Sequence, residues 1–330
     1  MQQRVAYIDA MRGLTMVLVV YSHVCSMCLG DSQMAANGVL FLFRLPCFFF
    51  ISGLLFCKPG RAWTGSEIRT VITRKAQLQL VPTLIFLLLL APPPLFFHQL
   101  GATKGGYWFT FALFEFFSIC IFSERYFRQR GGLVVAVAIS VAAYSYDVYY
   151  NRYFSHYGIV AKVMGLLSFM TWRYYLFFYL GTLAKCHLDV LHRVADHRWP
   201  VAGVALTFVL VAAVPHTEHV WLSFAVFAIG GMAGMVLVYS LFRRYYRWRL
   251  PLLELLGRRT LDIYLLHYFF LPRFLLSWGE VVRGSESVAL QALTVMAIAV
   301  AVTAVSLAVS WVLRLSPLLA HLLFGERNTG

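Results

Sequence analysis

Stretches of about twenty mostly apolar residues, repeated along the chain with short polar breaks, constrain this sequence more than any other feature. A helix rising 1.5 Å per residue needs about 20 such residues to cross the hydrocarbon core of a bilayer. At that depth every backbone polar group must be satisfied within its own segment, so the runs become helices. About ten candidates fall at roughly 7–28, 37–57, 70–97, 105–122, 132–150, 168–186, 199–215, 220–242, 258–276 and 288–313. The expected fold class is all-α, a polytopic transmembrane helical bundle of about ten spans in one integral membrane domain covering residues 1–330. Composition agrees, with 60% hydrophobic and 13% charged residues against roughly 45–50% and 25% in soluble domains.

Two runs need comment. The first carries Asp9, Arg12 and His23 and lacks a small-residue cleavage site, so it is expected to remain as a span. The third opens with Arg74, Lys75, Gln77 and Gln79, an amphipathic start suited to entry along the interface, and Pro92-Pro93-Pro94 should end or kink it.

Lysine and arginine orient the chain. With an even number of spans and a cytoplasmic N-terminus, about twenty of the 28 basic residues lie on the cytoplasmic side, among them Arg4, Arg61, Arg128, Arg247, Arg314 and Arg327. About four, Lys104, Arg152, Lys162 and Arg283, lie outside. The expected topology is N-in/C-in. The net charge of +14 then follows from the positive-inside bias, and no nucleic-acid partner is implied.

The six cysteines fall in or beside spans and read as buried free thiols; Cys25 and Cys28 do not make a closed zinc site. His187, His192 and His197 lie among Asp189, Arg193, Asp196 and Arg198, and a solvated cytoplasmic loop accounts for them more simply than a metal does. No metal site is expected.

Ionisable side chains at membrane depth are costly, on the order of 2.5–3.5 kcal/mol each, and tend to face a protein interior or a cavity. Here they are Asp9, Arg12, His23, Arg44, Glu115, Asp147, Arg173, Asp262, His267 and Arg273. Arg12 and His23 are eleven positions apart, which puts them on one helix face and roughly 16 Å apart along the axis. That face can line a cavity; the spacing equally suits an Arg12 that snorkels and a His23 satisfied by a backbone carbonyl. Asp9, three positions before Arg12, is placed to pair with it. In the second span, Pro46 frees a backbone carbonyl and Gly53 permits close helix approach. The aromatic run Phe48–Phe50 there is more often packing or lipid-facing surface than a binding box. Arg44, Arg173 and Arg273 count to the outer third beside His23, whereas Glu115 and His267 count to mid-membrane.

Several of these segments together resemble the acyltransferase-3 family of membrane acyltransferases. Tyr7-Ile8-Asp9-Ala10-Met11-Arg12-Gly13-Leu14 with Val20-Tyr21-Ser22-His23 is similar to its first-span signature of an arginine, ten residues and a histidine. Arg44-x-Pro46-x-Phe48-Phe49-x-Ile51-Ser52-Gly53 matches the second span. Tyr107-Trp108-Phe109 through Leu113-Phe114, and Tyr175 through Gly181, fit middle spans, and Leu256-Gly257 through His267 fits a late one. One departure stands out: where the family often has Arg-x-x-Arg before a proline, this chain has Arg74-Lys75-Ala76-Gln77 before Pro82.

The resemblance implies an O-acyltransferase of the bacterial inner membrane that moves an acyl group, usually acetyl, from cytoplasmic acyl-CoA to a hydroxyl of an envelope or exported carbohydrate. Its partners would be acyl-CoA, the carbohydrate acceptor and membrane lipid; acetyl-CoA would be a donor substrate, with no cofactor bound permanently. A sugar hydroxyl is a poor nucleophile at neutral pH and needs a positioned base, which suits His23 first and His267 second. Arg44 is the candidate for the tetrahedral oxyanion, and Glu115 for orienting a histidine. Arg12, Arg69, Arg74 and Lys75 would meet the phosphates of the donor. The alternative from another class is a transporter or flippase of a glycan or lipid intermediate, since intramembrane charge suits that as well.

Overall fold

The structure, a computed structural model, describes residues 5–58, 63–91, 95–101, 104–127, 129–153, 159–214, 219–246, 249–285 and 287–325. Pro92–Pro94 and Arg4, Arg61, Arg128, Arg247 and Arg327 lie outside the described residues. In chain order the α-helices are α1 (Ala6–His23), α2 (Asn37–Phe56), α3 (Gly65–Lys75), α4 (Val81–Leu90), α5 (Leu95–Gly101), α6 (Trp108–Tyr126), α7 (Gln129–Tyr153), α8 (Ile159–Leu166), α9 (Tyr175–Cys186), α10 (Leu188–Asp196), α11 (Arg198–Ala212), α12 (Val220–Tyr245), α13 (Pro251–Arg258), α14 (Thr260–Phe270), α15 (Gly279–Arg283), α16 (Val288–Leu313) and α17 (Pro317–Phe324). No strand occurs among the described residues, as the all-α expectation requires.

Among the described residues six helical segments are long and apolar enough to cross a membrane: Ala6–Cys28, Asn37–Phe56, Gly65–Leu90, Arg130–Tyr149, Val220–Tyr245 and Val288–Leu313. A seventh arises if α10 and α11, bent by 84° at their junction, count as one span. The other runs read from hydropathy fall on α6, which carries Glu115, Glu124 and Arg125, and on two short helices. α9 has only 12 residues behind a 3-10 segment. α14 has 11 and stops before Pro272, where a helix loses a donor and meets the proline ring.

The third run is one continuous 26-residue segment. Thr64 caps α3 through a reciprocal capping box with Glu67. α3 buries no side chain, in keeping with its amphipathic start. It continues through a π turn at Ala76–Leu80 into α4. Pro82 explains the wide turn: its ring would clash with the carbonyl of Leu78 in a regular helix.

The chain forms two compact units, each discontinuous in sequence. Unit 1 comprises residues 1–48, 189–214 and 226–314. Within it α1 packs against α13, α14 and α16. The α1–α13 contact depends on two glycines: a Cβ on Gly13 would lie 2.1 Å from the Leu253 carbonyl oxygen, and one on Gly257 would lie 1.7 Å from that of Asp9. Backbone meets backbone there, so no side chain can yield. Gly257→Val is expected to cost at least the 1–3 kcal/mol typical of overpacking. Thermal unfolding of the detergent-purified variant, with a midpoint several degrees below wild type, checks this.

Unit 2 comprises residues 49–188, 215–225 and 315–330. It repeats the device: a Cβ on Gly53 would stand 1.9 Å from the Phe178 carbonyl oxygen and one on Gly181 2.1 Å from that of Phe50, so the C-terminal half of α2 abuts α9. Phe49 is wholly buried among Phe109, Phe116 and Tyr174, at ring distances of 4.7, 5.0 and 5.4 Å. The aromatic run of α2 is thus packing surface. Lys104 is buried too, and its ammonium donates to the carbonyls of Leu100, Gly165 and Leu166 at 2.7, 2.8 and 2.9 Å. Burial pulls that ammonium below the ordinary lysine value, but all three of its donors are satisfied.

Candidate active site

In unit 1 the polar face of α1 meets α14. The Arg12 Nη2 donates to Thr260 Oγ1 at 2.9 Å, at the first residue of α14. Further along, His23 Nε2 lies 3.2 Å from the Tyr268 hydroxyl. Arg12 and His23 therefore do share a face, and that face is turned to a second helix. Asp9 instead contributes its backbone carbonyl to the Gly257 contact, and Arg12 reaches across to Thr260 rather than back along its own helix.

Around His23 the backbone and its neighbours are unusual. A π turn, Val24–Cys28, begins directly after it, and such turns occur often at functional sites. The His267 ring is 5.2 Å away and the Tyr268 ring 5.1 Å away. His267 is fully buried, with Nδ1 3.1 Å from the Ile263 carbonyl one turn back. A carbonyl only accepts, so Nδ1 carries the proton and Nε2 is left as a bare lone pair. That Nε2 is buried and has no hydrogen-bond partner among the described residues.

Arg44 is buried at the start of the second apolar run. Its Nη1 donates to Asn37 Oδ1 at 2.8 Å. Asn37 in turn donates from Nδ2 to the Ser32 carbonyl at 2.6 Å and to Ser22 Oγ at 3.4 Å. The segment between is pinned at Ala35, whose carbonyl accepts from Tyr21 at 2.6 Å and whose amide donates to Gln291 at 3.1 Å. Ala35 and Ala36 have φ of 54° and 58°, a left-handed conformation that costs a residue with a Cβ on the order of 1–3 kcal/mol. The fold sustains that strain next to the buried arginine.

Asp262, five residues before His267 on α14, is bound by residues at the end of α16. It accepts from Arg314 Nε and Nη2 at 2.9 and 2.8 Å and from Ser310 at 2.6 Å, tying α14 to the end of α16.

The remaining sequence candidates lie in unit 2. Glu115 accepts from Trp172 Nε1 at 2.7 Å, so its hydrogen-bond partner is an indole and not a histidine. Arg69 and Arg74 are exposed on α3, whereas Lys75 lies over the Phe117 ring at 3.8 Å. Arg173 is paired with Asp147 at 2.5 Å, and Arg273, in unit 1, is exposed; Arg44, Arg173 and Arg273, grouped by depth in the sequence, thus have three different environments. The histidine-rich stretch 187–198 is largely the helix α10. Its His192 meets Tyr239 at 3.1 Å, and Asp196 accepts from Arg243 at 2.7 and 2.8 Å. No group of three His, Cys, Asp or Glu that could hold a metal occurs among the described residues.

The structure thus brings His23 and His267 together with Tyr268, ties Arg44 through Asn37 to Ser22, and sets Arg12 on Thr260 at the other end of the same α1 face; Asn37, Thr260, Tyr268 and Gln291 are residues that sequence reasoning did not single out. Thr260 and Tyr268 carry a faint signal, because both lie in the motif that ends at His267. Asn37 and Gln291 carry none. Chemically, the cluster offers two imidazoles with basic nitrogens and a buried guanidinium, the parts a hydroxyl needs to become a nucleophile and an oxyanion needs to form.

A family model described as an acyltransferase domain matches residues 5–315. No curated protein and no solved structure matches the chain.

Proposed function

Because the chain belongs to the acyltransferase-3 family, and is thus a multi-pass membrane acyltransferase, we propose that it moves an acetyl group from cytoplasmic acetyl-CoA to a hydroxyl of an envelope or exported carbohydrate. The observation that carries this reading is the contact between the His23 and His267 rings, on the face of α1 that also presents Arg12, with Arg44 tied through Asn37 to Ser22 next to His23. His23 takes the proton of the acceptor hydroxyl as the oxygen attacks the thioester carbonyl. Arg44 stabilises the oxyanion that follows. The CoA thiolate leaves and recovers the proton. Ten spans with both termini in the cytoplasm, in a bacterial inner membrane, complete the proposal; the positive-inside bias supports that orientation.

Arg69 and Arg74, exposed on α3, and the half-buried Lys75 after them supply cations for the donor's phosphates. Replacing Arg69 and Arg74 by alanine together is expected to raise KM for acetyl-CoA about tenfold or more, since hydrogen bonds to charged groups are worth roughly 1.5–3 kcal/mol each, and to leave kcat nearly unchanged. Initial rates at varied acetyl-CoA check it.

Membrane vesicles given acetyl-CoA labelled in the acetyl group test the function itself. Label should enter the carbohydrate fraction only when the protein is present. A transporter would move its cargo without acetyl-CoA and would label nothing.

A further inference from the structure

We propose that Tyr268 positions the catalytic imidazole: its hydroxyl oxygen accepts the Nε2–H of His23 and leaves Nδ1 of that ring unprotonated to take the acceptor's proton. This rests on the reading of His23 as the base.

The argument is one of tautomers. A neutral imidazole carries one proton, so whatever holds one nitrogen decides what the other can do. In His23 the hydrogen bond made among the described residues is between Nε2 and the Tyr268 hydroxyl, at 3.2 Å. Were the hydroxyl to donate there, Nδ1 would carry the proton and no lone pair would remain for catalysis. With Nε2 donating, Nδ1 is the basic nitrogen. His267 shows the complementary arrangement, because its own helix holds Nδ1 through the Ile263 carbonyl and leaves Nε2 bare. The two rings are thus held through opposite nitrogens, one by its own helix and one from the facing helix. Tyr268 lies against both, with ring centroids 5.1 Å from His23 and 4.1 Å from His267.

In the transfer step the acceptor O–H bond breaks as its oxygen bonds to the acyl carbon, and the proton moves to Nδ1 of His23. The C–S bond then breaks, and the CoA thiolate takes that proton. Tyr268 neither gains nor loses one; it holds the ring and polarises the Nε2–H as the imidazolium forms, the part a third group plays in other base assemblies.

Tyr268→Phe removes one oxygen and keeps the ring against both histidines. Acetyl transfer from labelled acetyl-CoA is measured in vesicles carrying wild type, Tyr268→Phe, His23→Ala and the double variant, each normalised to folded protein. Tyr268→Phe should lower kcat about tenfold, near the worth of one hydrogen bond, with KM for acetyl-CoA unchanged and no further loss in the His23→Ala background. A kcat within twofold of wild type, or a fall in kcat matched by a rise in KM, overturns the assignment. A second pair guards against poor accumulation of the phenylalanine variant. Tyr268→Gln keeps an acceptor oxygen and Tyr268→Leu does not, so the glutamine variant should be severalfold faster; equal rates also overturn the assignment. The two readings fail separately. Full activity in His23→Ala removes the base itself, whereas an inactive His23→Ala beside a fully active Tyr268→Phe removes only the role of Tyr268.

Discussion

His23→Ala is expected to lower acetyl transfer by about 10²–10⁴-fold, the ordinary worth of a positioned general base, while the amount of protein in the membrane stays the same. The separation of activity from folding follows from where His23 sits. It is the last residue of α1, only partly buried, and its side-chain hydrogen bond goes to one tyrosine. The packing that holds α1 lies elsewhere, at Gly13 against Leu253 and Gly257 against Asp9. Removing an imidazole at the helix end leaves those contacts intact. Arg12→Ala should behave in the same way, since Arg12 reaches Thr260 at the other end of the same face. The measurement is label transfer per unit of immunodetected membrane protein. Full activity in His23→Ala would remove the proposed centre.

Asp262→Ala should do the opposite and damage the fold. The Asp262 side chain is 4% exposed and that of Arg314 10%, and the pair is bidentate with Ser310 added. Taking away one partner of such a pair costs roughly 3–5 kcal/mol, because the other charge remains buried. That is a large part of the 5–15 kcal/mol by which a typical domain is stable. The variant should accumulate poorly and unfold well below wild type in detergent. Removing both charges with apolar residues of similar size, Asp262→Leu with Arg314→Met, should recover most of the loss. An unchanged melting midpoint for Asp262→Ala would show that the pair is not what joins α14 to α16.

What could be read from the sequence was what repeats locally. Period and spacing placed Arg12 and His23 on one face of α1, and both side chains do meet α14. Gly53 was read as a point of close approach, and the Phe178 carbonyl fills the space a side chain would need. Hydropathy alone gave less. It runs across Pro272 and across the 3-10 segment before α9, and so does not show that two of the ten runs contain helices of only 11 and 12 residues. Pairings distant in sequence were invisible. Arg314 was counted only as a cytoplasmic charge, yet it neutralises Asp262, and Arg173 was counted only by its depth beside His23, yet it is bonded to Asp147. Glu115 was a candidate for orienting a histidine, but composition and spacing say nothing of direction, and its side chain accepts from Trp172. Tyr268 went unnoticed because a tyrosine in an aromatic run is ordinary; only the position of its hydroxyl marks it.

The central claim, acetyl transfer to a carbohydrate through His23, is tested most directly by mass spectrometry of envelope carbohydrate from three strains: one lacking the gene, one restored with the wild-type chain, and one restored with His23→Ala. The account expects acetyl esters to vanish from one glycan in the deletion, to return with the wild type, and to stay absent with His23→Ala. Acetylation unchanged by the deletion, or restored in full by His23→Ala, would contradict it.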